Sequence, residues 1–189
     1  MLIRENLWPK NLSIISNPKT IKEAFERNKK AIELRPSVGQ STAQTMIRVR
    51  NGTTCEITAS GKKLICDIGT EAGGNDAGPG PGILERGALG SCLAIGYATW
   101  AAYMEVPIHN IEVEVESDFD ASGQFGIADI PPGFKELRYR VTIESPAPEE
   151  TVRELIEKAD AHSPVLDDFK RPIPVEREIE IKSTKAKPS

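Results

Sequence analysis

Three side chains in this 189-residue chain carry a thiol, Cys55, Cys66 and Cys92, and the company of Cys92 is the best suited to chemistry. Glu85 stands seven residues before it. That spacing is two helical turns, so both side chains share nearly one face of any helix that holds them. A carboxylate on an otherwise uncharged helix is costly if it stays ionised and unpaired. It is therefore expected to meet an Arg or Lys, and that cation would sit within reach of Cys92. A thiol of pKa about 8.5 is roughly 3% thiolate at pH 7, whereas one lowered to about 5.5 is roughly 97%. Such a gain in thiolate is what peroxide reduction by a cysteine requires. Cys92 lies well inside the helix, beyond the reach of the helix dipole. Arg86, six residues away, is on another face, so the cation is expected from elsewhere in the chain.

The remaining reactive side chains read more plainly. Cys55 alternates with Thr53 and Ile57, and Cys66 with Leu64 and Ile68, which suits small apolar residues on sheet faces. Three is an odd count and no CxxC occurs, so neither a disulfide scaffold nor a structural zinc site is expected. His109 and His162 stand alone and share no ligand spacing with the cysteines. No metal and no cofactor are expected. The Gly/Pro-rich loop Thr70–Gly82 precedes a helix but fails as a phosphate cradle. The dinucleotide pattern counted from Gly78 demands glycine at Ile83, and the Walker pattern from Gly73 meets Pro79-Gly80. Pro79 and Pro81 also lack the N–H groups that would hold a phosphate.

The elements that must position Cys92 follow from periodicity. Residues 18–34 place Ile21, Phe25 and Ile32 on one face of a short amphipathic helix that Pro36 stops. Thr45–Arg50, Thr53–Ala59 and Lys63–Ile68 read as strands, joined by turns at Asn51-Gly52 and Ser60-Gly61. After the Gly/Pro loop comes an apolar helix from about Ile83 to Tyr103. Ile108–Phe119 and Phe134–Ser145 alternate as strands, Glu149–His162 has helical spacing, and Ile173–Ile181 reads as a last strand before a Lys-bearing tail. Hairpin connections make the sheets antiparallel and the class α+β.

Composition sets the frame. Hydrophobic residues make up 39% and charged residues 28%, ordinary for a folded globular chain of one domain. With 24 Lys+Arg against 28 Asp+Glu the net charge is −4, so no nucleic-acid partner is expected. The first residues, MLIRENLWPKNLSIISN, carry Arg4, Glu5 and Lys10 within no continuous apolar run, so no secretory leader is expected and the chain is read as cytoplasmic. Gly87–Met104 has 18 uncharged residues, the lower limit for a membrane span, but ten are Gly, Ala, Ser or Thr. A helix buried on all sides within the protein is the reading preferred to a membrane partner.

The segment GPGPGILERGALGSCLAIGYATWA resembles the signature of the OsmC/Ohr family, the osmotically inducible protein C-like and organic hydroperoxide resistance proteins. VEVESDFDASGQFG, PPGFKELRYRVTIESPAPEETVRELIEKADAHSPV and VEREIEI agree downstream in order, so the resemblance runs from about Thr45 to Ile181. It implies an OsmC-like α+β fold with a long buried central helix, a second helix packed with antiparallel sheets, and an intertwined homodimer with active sites at the interface. Residues 1–40 are then an N-terminal extension with one amphipathic helix, and 41–189 the OsmC-like domain. Active members of the family reduce organic hydroperoxides, one Cys attacking the peroxide and a second resolving the sulfenic acid. By position Cys92 matches the first of these and Glu85 the assisting Glu, and Arg48 or Arg50 is the candidate Arg. The second Cys position reads Ala161-His162-Ser163-Pro164, so Ser163 stands where a disulfide partner is usual. His162 or Ser163 is a candidate hydrogen-bond partner of the Cys92 sulfur. Cys92 is then expected either to act as a one-cysteine peroxidase recycled by an external thiol reductant, or to sit in a catalytically inactive member that binds a small apolar ligand at the dimer interface.

Overall fold

The computed structural model of the protein describes residues 17–183. Helix α1 (Pro18–Leu34) is followed by a short 3-10 turn, then strands β1 (Met46–Asn51), β2 (Thr54–Ala59) and β3 (Lys62–Cys66). The central helix α2 (Pro81–Met104) leads to β4 (Asn110–Phe119), a one-turn helix α3 (Ala121–Gln124) and β5 (Phe134–Glu144). Helices α4 (Glu149–Asp160) and α5 (Pro164–Lys170) follow. β1, β2 and β3 form one antiparallel sheet, and β4 and β5 form a second. Neither α3 nor α5 is foreshadowed by a long periodic run, because each spans two turns or fewer.

The main core lies between α2, the β4–β5 hairpin and α4–α5. Leu89, Leu93 and Tyr97 of α2 are buried with Ala159 and Leu166, and Ile111, Val113, Val115, Val141 and Ile143 close on them from the hairpin. The hairpin's other face is a ladder of charge, with Glu114 opposite Arg140 and Glu116 opposite Arg138. Gly90 explains how closely α2 meets β4: a Cβ there would lie 3.2 Å from a methyl of Val115. A second cluster of Ala101, Val106, Ile108 and Leu155 sits at the far end of α2. Helix α1 docks there through Ile21 and Phe25, whose ring meets Trp100 at 5.2 Å and Tyr103 at 4.6 Å between centroids. Lys22 tethers the same corner to Glu105 at 2.7 Å. Ile32, expected on the docking face, is exposed toward the chain that turns back through Gly39.

Two further expectations from the sequence need correction. The first is that α2 is enclosed on every side. One flank is open instead, with Ile83 56% and Ile95 66% exposed and Glu85, Ala88 and Ser91 along the same side. The reason is that a single chain supplies two layers, the hairpin and α4–α5, and neither wraps the whole helix. The second is the last strand. Residues 172–183 adopt no regular structure, and Val175 and Ile181 are 88% and 89% exposed. A strand requires a ladder of backbone hydrogen bonds to a neighbour, and none of the five described strands pairs with this segment. The tail after Ser183 lies outside the described residues, as do the first sixteen residues of the expected extension. Among the described residues no helix is long and apolar enough to cross a membrane.

Candidate functional site

Cys92 sits half-buried midway along α2, facing the turn that joins α4 to α5. The turn brings Ser163 to it: Cys92 Sγ and Ser163 Oγ are 3.5 Å apart. Ser163 is itself buried and caps α5, its hydroxyl oxygen accepting the Leu166 N–H at 3.4 Å. A hydroxyl can accept one bond and donate another. While Ser163 accepts from Leu166, its own proton remains free to point at sulfur, and a thiolate at Cys92 could only accept it.

The turn is held in place by a polar clamp that the sequence did not reveal. Tyr97, five residues beyond Cys92 on α2, donates its hydroxyl to Asp160 at 2.6 Å, and Tyr139 of β5 donates to the other carboxylate oxygen at 2.8 Å. Burial, then the Asp160 carboxylate, pushes the Tyr139 phenol up to about 12, and Tyr97 moves further in the same direction for the same causes. Both phenols therefore stay protonated and keep donating at any ordinary pH. Asp160 precedes Ser163 by three residues, so the clamp fixes the end of α4 against α2 and hence the approach of Ser163 to Cys92. His162 is engaged elsewhere: its Nδ1 lies 2.7 Å from the Lys158 carbonyl and its ring meets Trp100 at 4.9 Å. Of the two residues expected near the sulfur, the structure brings Ser163 to it.

Glu85 behaves differently from the buried carboxylate expected. It is exposed and makes no ion pair among the described residues, so water solvates it and no cation is demanded within this chain. The two turns between Glu85 and Cys92 amount to about 10.5 Å along the helix axis, so the two share a flank without touching. Arg48 and Arg50 lie on the charged face of the first sheet. Arg50 bonds Glu56 at 2.8 Å and Lys63 bonds the same carboxylate, which together hold it down at about 2. Arg48 is opposite Glu56 in the strand register but makes no ion pair among the described residues. Arg86 turns to the hairpin, donating to Ser117 at 3.0 Å and lying over the Phe134 ring.

A second polar feature organises the approach to α2. Asp67 is buried just after β3 and accepts from the hydroxyls of Thr53 (2.6 Å) and Thr54 (2.7 Å) and from the backbone N–H of Ile68, Asn75 and Ala77. These donors hold its carboxyl far below the usual carboxylate range, the threonine bonds contributing most. The Gly/Pro loop is thus wrapped on a carboxylate of its own chain and is not arranged to receive a phosphate. Gly78 allows the wrap, since a Cβ there would come within 2.5 Å of the Ile65 carbonyl oxygen.

A family model described as OsmC-like protein matches residues 73–178, a stretch that contains Glu85, Cys92, Asp160 and Ser163. No curated protein sequence matches the chain. Among solved structures it is similar to an OsmC-like protein from Mycoplasma pneumoniae, at 14% identity and a TM-score of 0.60 over 69% of this chain and 89% of that one. It is also similar to an organic hydroperoxide resistance protein OsmC from Legionella pneumophila, at 16% identity and a TM-score of 0.52 over 69% of this chain and 92% of that one. At these identities the likeness is one of fold.

Proposed function

The chain belongs to the OsmC-like protein family, and from that premise we propose that it is a thiol-dependent hydroperoxide reductase of one-cysteine type with Cys92 as nucleophile. The observation that carries this reading is the 3.5 Å approach of the Ser163 hydroxyl to the Cys92 sulfur. The Cys92 thiolate attacks the distal peroxide oxygen, the O–O bond breaks, and the alcohol leaves after taking up a proton. Cys92 becomes a sulfenic acid. Ser163 has no thiol to displace water from that sulfur, so an external thiol does so and forms a mixed disulfide. A second equivalent then releases the reduced Cys92.

The same reading supplies the missing surroundings from a second copy of the chain. The open flank of α2, the uncovered apolar face of the first sheet and the unpaired segment Ile173–Ile181 are three apolar surfaces that an intertwined homodimer would bury. Arg48 is the better candidate to reach Glu85 there, because Arg50 would first have to leave Glu56. In this scheme Glu85 positions the arginine, the arginine stabilises the thiolate, and the domain spans 41–189 with 1–40 as an extension whose α1 braces α2. We read the protein as cytoplasmic.

A second reading, an inactive member that binds a small apolar ligand at the dimer interface, is favoured by the serine at 163 and by Ile83 and Ile95 on the open flank. Stopped-flow oxidation with cumene hydroperoxide, wild type against Cys92→Ser, separates the two. Consumption of the Cys92 thiol with a dimedone-trappable sulfenic acid is the expected result. An unreactive Cys92 at millimolar peroxide, with an alkylation pKa near 8.5 or above, would overturn the peroxidase and leave the binder.

A further inference from the structure

Ser163 reaches Cys92 because the α4–α5 turn is gripped at two points, and the Asp160 clamp is only one of them. The other is His162, the residue directly before Ser163. A carbonyl can only accept, so His162 Nδ1 carries a proton and donates it to the Lys158 carbonyl at 2.7 Å, tying the imidazole to the last turn of α4. The ring then packs on Trp100 of α2, with 4.9 Å between centroids and 46° between planes. The Lys158 ammonium lies over the same indole, 5.8 Å from its centroid.

Trp100 is itself held from the N-terminal side of the chain. It is half-buried and packs against both core clusters, the one that contains Ala159 and Leu166 beside the turn and the one on which α1 docks. Phe25 of α1 meets the indole at 5.2 Å with 63° between planes. A half-buried ring keeps a single rotamer when its neighbours fill the space of the alternatives, and Phe25 fills part of that space. Helix α1 has no fully buried side chain, and its ion pair from Lys22 to Glu105 is a surface one of small worth. It therefore adds little to the core, yet it touches the ring on which His162 rests.

We propose that α1 belongs to the positioning machinery of the Cys92 site: Phe25 fixes the Trp100 ring, Trp100 fixes His162, and His162 sets the Ser163 hydroxyl on the Cys92 sulfur. Phe25 and Trp100 are positioning residues that act through Ser163, and neither touches the thiol. The Asp160 clamp grips the turn three residues before Ser163, which leaves the residues between free to swing; the His162 contact removes that freedom one residue before it. This role rests on Cys92 being a thiolate nucleophile, because a donated hydrogen bond is strongest toward a charged acceptor, but it does not require that the substrate be a peroxide.

Iodoacetamide alkylation of Cys92 in the full-length chain, read by mass spectrometry of the peptide that carries it, tests these contacts. Phe25→Ala is expected to slow the reaction near neutral pH by about threefold to tenfold, the upper figure being the effect of losing the Ser163 hydroxyl outright. The difference should vanish at alkaline pH, where the thiol ionises unaided. Phe25→Tyr keeps the ring and is expected to react as wild type, and Phe25→Leu, which keeps only the bulk, to fall between the two. In a Ser163→Ala background Phe25→Ala is expected to change nothing further, because the hydroxyl through which it acts is gone. Unchanged alkylation in both Phe25→Ala and Phe25→Leu, or a slowing that adds in full to that of Ser163→Ala, would overturn the proposal. Cumene hydroperoxide is read separately: a Cys92 that alkylates as expected but ignores the peroxide ends the peroxidase reading and leaves the role of α1 intact.

Discussion

The two sheets are built alike and finish differently. β4–β5 and β1–β3 are both antiparallel, both alternate apolar with polar, and both carry a charged face. The apolar face of β4–β5 is covered by α2, whereas Ile47, Val49 and Leu64 of the first sheet remain open. Alternation records that a face requires cover; it does not record whether the cover lies in the same chain. The polar groups repeat the lesson. Asp160, beside the covered sheet, is met by two tyrosines from different elements, while Glu85, on the open flank of α2, is met by none among the described residues.

Truncating one residue on each side should separate the covered face from the open one. Leu93→Ala, on the covered side, is expected to cost about 2–5 kcal/mol in urea unfolding. Leu64→Ala, on the open side, is expected to leave the stability of a single chain within about 0.5 kcal/mol and instead to weaken self-association in sedimentation. Equal costs at high dilution would show that the first sheet is packed within its own chain. Tyr97→Phe comes next, at about 1–3 kcal/mol, because a carboxylate inside the structure loses one of its two side-chain donors. A cost confined to stability, with unchanged alkylation of Cys92, would break the link drawn between the clamp and the placement of Ser163.

Asp67 gives a pH-dependent prediction whose effect appears on acidification. Its carboxyl is depressed in the folded chain, so its contribution is full above the ordinary carboxylate range near pH 4 and is lost as pH falls below it. Wild-type thermal midpoints should therefore fall on acidification more steeply than those of Asp67→Asn, which starts lower. Parallel curves would show that the carboxylate is not the group that titrates. The smallest effect is expected at Ser163→Ala. Losing one hydrogen bond to a thiolate, about 1.5 kcal/mol at the lower end of the range for a charged acceptor, should slow iodoacetamide alkylation of Cys92 near neutral pH by about tenfold. Ser163→Cys reverses the deficit, and peroxide should then close a disulfide between the two sulfurs.

Much of the architecture was legible because it rests on local periodicity. The β1–β3 meander follows from Asn51-Gly52 and Ser60-Gly61, and α2 begins where Pro81 ends the loop, so their boundaries fall within a few residues of expectation. The segment Ile173–Ile181 departs from expectation for a physical reason: its alternation is genuine, but a strand exists only beside another strand. The clamp was illegible because Tyr97, Tyr139 and Asp160 come from three elements whose spacing in sequence carries no sign that they converge. The opposition of Cys55 and Cys66 is hidden for the same reason, since register is a property of the pair.

By itself the sequence determined the thiol at 92, the serine at 163, the carboxylate at 85 and the family signature that relates them, because these depend on residue type and order along the chain. Tertiary structure decided that Ser163 lies 3.5 Å from Cys92 while His162 turns to Trp100. It also decided that Glu85 is exposed and that Cys55 and Cys66 oppose each other across β2 and β3. Those facts arise from the docking of α4–α5 on α2 and from the pairing of β2 with β3, and neither packing nor register is written in local spacing.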